Sequence, residues 1–217
     1  MRALVVLVLL AGRADARDWM GLMDTMQGGS TLHYELTGLD DHDGPDQLVL
    51  AGARLHGFAG PSGRWALQMG LDLAAGGTIH RGGLAYDVAL LPLGFAVRLG
   101  ATGYIGIAGG VGALGATPTA DDALSLPGEL TLELGNRVRL LGRARASYLA
   151  FTGEHRLLEG MLGLRIGHHY EDYGFPSGNG YFVAASFREL GDARMIGATI
   201  GYSIDLATPR RSRRHAE

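Results

Sequence analysis

The sequence predicts an all-β fold, an antiparallel up-and-down β-barrel of the transmembrane kind with about ten strands, eight and twelve being the alternatives. Three observations carry that prediction. Apolar and polar residues alternate through one segment after another between residues 30 and 206, the two-residue period of a strand with unlike faces. The N-terminus has the form of an export signal. No later stretch reaches the roughly 18 uninterrupted apolar residues that a spanning helix needs, so a membrane passage after the signal has to be made by strands.

The export signal is read from Arg2, the apolar run of residues 3–12, and the small residues Ala14 and Ala16 that a signal peptidase recognises. Cleavage is expected after Ala16. Ten apolar residues extend only about 15 Å as a helix, half of a hydrocarbon core, so a retained anchor is disfavoured. Residues 17–29 form a Met-rich periplasmic leader without a clear period. Residues 30–206 form the barrel, and residues 207–217 a basic tail with Arg210, Arg211, Arg213 and Arg214.

The strands follow in order. Leu32, Tyr34 and Leu36 oppose Thr31, His33 and Glu35. Val49, Ala51, Ala53 and Leu55 oppose Arg54 and His56. The clearest early case is Trp65, Leu67, Met69, Leu71 and Leu73 against Ala66, Gln68, Gly70 and Asp72. From Leu84 the apolar set is Leu84, Tyr86, Val88 and Leu90. Beyond Pro92 it moves to Phe95, Val97 and Leu99, a change of parity that predicts a β-bulge. Later apolar rows run through Ile105 and Ile107, Leu130 and Leu132, Leu140 and Tyr148, Leu162 and Leu164, Tyr181 and Val183, and finally Ile196 to Leu206. Turn formers punctuate them at residues 60–63, 100–103, 135–136 and 191–192. Residues 38–47, 76–83, 116–127 and 172–179 are expected to be longer loops.

Composition narrows the possibilities. Of 217 residues, 47% are hydrophobic, 19% are charged and 36 are glycine, which excludes a disordered chain. The net charge is −3 and the only basic cluster is terminal, so no nucleic-acid surface is implied. Cysteine is absent, which removes disulfides, thiolate catalysis and cysteine zinc sites. No metal site or cofactor is expected. Gly110 to Gly115 spells a dinucleotide fingerprint, but Thr117, Pro118 and Thr119 follow where the helix should start. The acidic run Asp40, Asp41, Asp43 and Asp46 reads as a solvated loop.

The polar rows separate a membrane barrel from a soluble one. They are mostly Gly, Ala, Ser and Thr, which suits a narrow lumen better than a solvated exterior. Among them, Glu133, Arg139, Arg143, Arg145, Glu159 and Arg165 occupy the polar parity of neighbouring strands and are expected to form a lumen charge cluster. Tyr34, Tyr86, Tyr148, Tyr181, Tyr202 and Trp65 suit an interfacial belt on the apolar side. On this architecture and export signal, residues 30–206 resemble the small bacterial outer-membrane barrels such as OmpA-like transmembrane domains. The resemblance implies the bacterial outer membrane as location and outer-membrane lipid as partner. Members of that class commonly end on an aromatic residue, a feature this chain lacks.

The function expected is that of an outer-membrane barrel with a structural, anchoring or weak solute-passage role, more a non-enzyme than an enzyme. One alternative is a rim enzyme acting on lipid, similar to lipid A deacylases, with Ser177 as nucleophile candidate, His169 as base and Glu171 as orienting acid. Another is a soluble periplasmic barrel that binds an apolar ligand.

Overall fold

The computed structural model describes residues 27–41, 44–59, 64–100, 102–116, 120–152, 156–170 and 177–207. They form ten strands: β1 (Gln27–Asp41), β2 (Gly44–Ala59), β3 (Trp65–Thr78), β4 (Leu84–Leu99), β5 (Gly103–Ala116), β6 (Ala120–Gly135), β7 (Val138–Ala150), β8 (Arg156–Tyr170), β9 (Ser177–Leu190) and β10 (Ala193–Ala207). Each pairs antiparallel with its chain neighbours, and β1 pairs with β10 to close the barrel. β1 starts at Gln27, so Gln27 to Gly29 belong to the wall rather than to a leader.

The register fixes the barrel's geometry. From Leu39, partner-to-partner steps through Met195, Arg188, Glu159, Arg145, Glu129, Ala108, Gly94, Gln68 and Phe58 re-enter β1 at Gln27. The difference between residues 39 and 27 is a shear of twelve. Ten strands with that stagger tilt by roughly 40°. Every residue on this path faces the lumen, which makes the path a belt around the inner wall.

The bulge at Pro92 is present. β4 runs unbroken while its register to β5 shifts between Leu90 and Leu93, and its register to β3 shifts between Gln68 and Gly70. The extra residue keeps Leu93, Phe95 and Leu99 on the exposed face after the parity change. A second proline is placed by the same logic. Pro127 lies inside β6 and lacks an N–H, and the β5–β6 ladder breaks there, between Gly109↔Gly128 and Gly112↔Ser125.

Two expected loops are mostly strand. Residues 38–41 and 44–47 continue β1 and β2, and residues 120–127 belong to β6. Cross-strand pairing prevailed over turn-forming composition because Leu39 and Leu48 extend the inward rows and are buried there. Asp46 is likewise not solvated. Its carboxylate accepts the backbone N–H groups of Gln47 (2.6 Å), His80 (3.1 Å) and Arg81 (3.2 Å), and Arg81 lies beside it at 3.7 Å. The carboxylate therefore ties the β3–β4 turn down onto β2. His42 and Asp43 lie outside the described residues.

The outer wall is aliphatic and aromatic. Leu32, Leu36, Leu73, Leu90, Ile107, Leu126, Leu162 and Ile200 are all exposed, as are Tyr34, Tyr148 and Tyr181. Trp65 stacks on Phe95 with ring centres 5.9 Å apart, and Tyr181 meets Tyr202 at 4.7 Å. On β10 the outward row is uncharged from Ile196 to Ile204. At about 3.3 Å per residue and this tilt, that interval rises roughly 20 Å, close to the apolar band of about 25 Å that an outer-membrane barrel presents. A soluble barrel would turn these rows inward. The soluble ligand-binding alternative is therefore overturned by the placement of its own core residues.

Candidate functional site in the barrel lumen

The lumen has three layers. At the rim opposite the chain ends, inward residues are apolar: Leu39, Leu48, Leu50, Leu114, Leu149, Leu157, Leu190 and Met195 pack together with Ala85, Ala123 and Ala193. Parity in the sequence places the apolar residues outside. This layer is hidden from that rule because segments such as Leu48-Val49-Leu50 are apolar on both parities, so alternation disappears there. Near the rim that bears the chain ends, Phe58, Ala66 and Ala96 form a smaller apolar cluster. Tyr104 packs edge-on to Phe58, with ring centres 5.0 Å apart.

Between them lies a lattice of ion pairs that crosses the lumen. Arg54 of β2 reaches Glu129 of β6 with both terminal nitrogens, at 3.0 and 2.5 Å. Arg143 of β7 donates to the same carboxylate at 2.8 Å, and to Asp72 of β3. Arg145 donates to Glu159 and to Asp87 of β4. Arg188 of β9 lies 2.7 Å from Glu159, 3.8 Å from Asp87 and 3.7 Å from Glu35. β9 and β4 stand on opposite sides of the ten-strand ring, so Arg188 and Asp87 brace the full width of the lumen. A second group sits closer to the chain ends. Arg139 donates to Glu133 at 2.6 Å, Arg165 donates to Glu133, and Arg165 also lies 3.7 Å from Asp205. His56 approaches Asp205 at 3.2 Å.

The physical reason for so much pairing is burial. A carboxylate such as Glu129, whose side chain has 0% exposure, loses several kcal/mol of hydration unless cations replace the water. Two guanidinium groups do so here. The inward glycines let these long side chains fit, and the wall itself needs them in places. A Cβ at Gly76 would sit 1.8 Å from the Val49 carbonyl oxygen, and one at Gly110 would sit 1.8 Å from that of Leu90.

All six charges named from the sequence, Glu133, Arg139, Arg143, Arg145, Glu159 and Arg165, face the lumen, but they divide between the two groups. Their partners Arg54, Asp72, Asp87, Glu129, Arg188 and Asp205 complete the lattice. Asp205 is readable from parity, since it follows outward Ile204 and keeps step with inward Ser203. Arg188 is not, because Glu189 beside it is also charged. What space remains in the lumen is a cavity of about 160 Å³ lined by His33, Arg54, Arg143, Arg188, Thr199 and Ser203 among others. It has room for on the order of ten water molecules. Among the described residues no group of three or more His, Asp or Glu is arranged to hold a metal ion.

Of the candidates on the chain-end rim, Glu171 and the side chains of His169 and Ser177 lie outside the described residues. The backbone register pairs Tyr170 with Ser177 and His169 with Gly178. Gly110 to Gly115 lies within β5, with no helix after it among the described residues.

An aliphatic exterior around a charged, internally braced lumen defines a membrane-type β-barrel. Solved structures similar to this chain include two autotransporter β-domains. One is the translocator domain of the autotransporter NalP from Neisseria meningitidis, 11% identical, with 96% of this chain and 97% of that chain covered and a TM-score of 0.42. The other is the beta domain of the Bordetella autotransporter Brka, 14% identical, with 81% and 98% covered and a TM-score of 0.41. No family model matches the sequence, and no curated protein matches it.

Proposed function

We propose that this protein is a structural, anchoring barrel of the bacterial outer membrane, with a lumen closed to solutes and lipid as its immediate partner. Export rests on residues 1–16 acting as a cleaved signal. The single observation that carries the proposal is the filling of the lumen. A leucine-rich layer seals one end, and arginine–carboxylate pairs span the middle. An open porin keeps an aqueous channel, which needs more strands than ten or an interior cleared of long side chains.

The test joins migration and conductance measurements on the chain from Arg17 onward, refolded in detergent, with fractionation of native envelopes. The folded band should migrate differently from the boiled one, and fractionated envelopes should carry the native protein with the outer membrane. Inserted into planar bilayers, the folded protein should give no stable conductance steps. Regular steps from the unmodified barrel would overturn the closed lumen. Recovery of the native chain in the soluble periplasmic fraction would overturn the membrane assignment.

A further inference from the structure

We propose that the outer surface of β8 to β1, at the rim away from the chain ends, is a binding site for the phosphate of an anionic lipid headgroup, held between Arg156 and Arg194. The site rests on the membrane assignment and adds to it a lipid chemistry and a location.

The argument starts from where charge stands on the outer wall. Along β10 the outward row is apolar from Ile204 up to Ile196, and the next outward residue is Arg194. Arg194 is paired across the sheet with Asp40 of β1 and with Glu189 of β9. Arg156 opens β8 beside them. These charges mark the level at which hydrocarbon gives way to headgroups, where long arginines are favoured.

The two guanidinium groups are loosely held. Arg156 stands 3.6 Å from Glu189 and Arg194 stands 4.0 Å from it, and both side chains are 73% exposed. Pairs of that kind hold little energy in solvent, unlike the enclosed arginines of the lumen. Both forks therefore keep donors to offer to a phosphate, which an arginine can grip through two N–H groups.

The surface between them is concave. Asp40, Arg156, Glu189, Gly191, Asp192 and Arg194 border an open depression of about 370 Å³, more than one phosphate group occupies. The β9–β10 turn that shapes its edge is tight because Gly191 takes φ 57°.

A third feature points to the same leaflet boundary. Phe151, in the turn between β7 and β8, is 89% exposed, and its φ of 66° is one that a bulky residue rarely adopts. Tyr148 pairs across the sheet with Arg156, so this aromatic turn adjoins the arginine. A ring held out beside a phosphate clamp suits the headgroup–acyl boundary, where aromatics settle.

The experiment uses the refolded full barrel, confirmed by its heat-dependent migration. Bound lipid is counted by native mass spectrometry after exchange from mixed micelles of phosphatidylglycerol and an uncharged glycolipid without phosphate. Phosphatidylglycerol should be retained in preference. In the double variant Arg156→Gln, Arg194→Gln that preference should fall about ten- to thirtyfold, since each arginine near the surface contributes about 1 kcal/mol. Arg64→Gln at the opposite rim should leave it unchanged. Free inorganic phosphate at millimolar level should compete only weakly.

Equal retention by the folded double variant would overturn the site, and so would full displacement by inorganic phosphate, which would mark an anion site unrelated to lipid. A double variant that no longer folds is replaced by the single variants, each expected to lose about fivefold. A chain that gives no folded band in any detergent fails at the earlier step, the membrane assignment, and takes the site with it.

Discussion

At the scale of single residues, one question decides each outcome: does water or protein surround the group? Glu129 has no exposed side-chain surface and is held by Arg54 and Arg143. Glu129→Ala leaves two guanidinium groups in the lumen short of their counter-charge, and should cost about 3–5 kcal/mol. The cost is read from urea unfolding of the heat-modifiable band. Loss below about 1 kcal/mol would mean that the lattice is hydrated enough to reorganise. Glycines give a matched pair of tests. Gly160 has nothing within 4 Å of where a Cβ would stand, whereas Gly76 would place one against the Val49 carbonyl. Gly160→Ala should keep the folded yield unchanged, and Gly76→Ala should reduce it severely. The sequence displayed both glycines alike. Only the register, with Gly76 opposite Leu50 and Ala85, separates them.

At the scale of elements, the pleat is the source of nearly everything that was legible. Trp65 to Leu73 could be assigned residue by residue because one row is bulky and apolar and the other holds Gln68 and Asp72, and the structure keeps that division. The sequence predicts shorter β1 and β2 strands than the structure has, because Gly38, Asp40, Gly44 and Pro45 look like turn formers. A short side chain does not stop a strand whose ladder continues on both sides, as Gly38 paired with Ile196 and Gln47 shows. The bulge in β4 was legible for the opposite reason, since an odd residue shifts every later side chain to the other face. Deleting Pro92 should undo that correction. Phe95, Val97 and Leu99 would then point into the lumen and Arg98 toward hydrocarbon, unless the strand slips back. The expected result is loss of the heat-stable band. A folded variant with unchanged stability would show that the bulge can move to another position at no cost.

At the scale of the whole molecule, closure has two components that the sequence alone could not rank: the ion lattice and the leucine layer. The lattice crosses the lumen but still borders a cavity of about 160 Å³, which leaves room for water beside it. The leucine layer is dry, and beneath it a void of only about 20 Å³ separates Leu50, Leu157 and Met195 from Asp87 and Arg188. That volume holds about one water molecule. A constriction lined by leucine excludes ions by refusing to wet, even where it is not packed solid. Replacing Leu50 and Leu149 together by serine keeps the wall's backbone pairing and gives the constriction hydroxyl groups. If the leucines are the seal, the double variant should show ion conductance in planar bilayers while the unmodified barrel shows none, with both giving the folded band. If the variant folds and stays silent, closure belongs to the crossing arginines, and conductance should appear only when Arg188→Ser is added. That added step removes the brace between β9 and β4. The order in which current appears therefore assigns the barrier to one layer or the other.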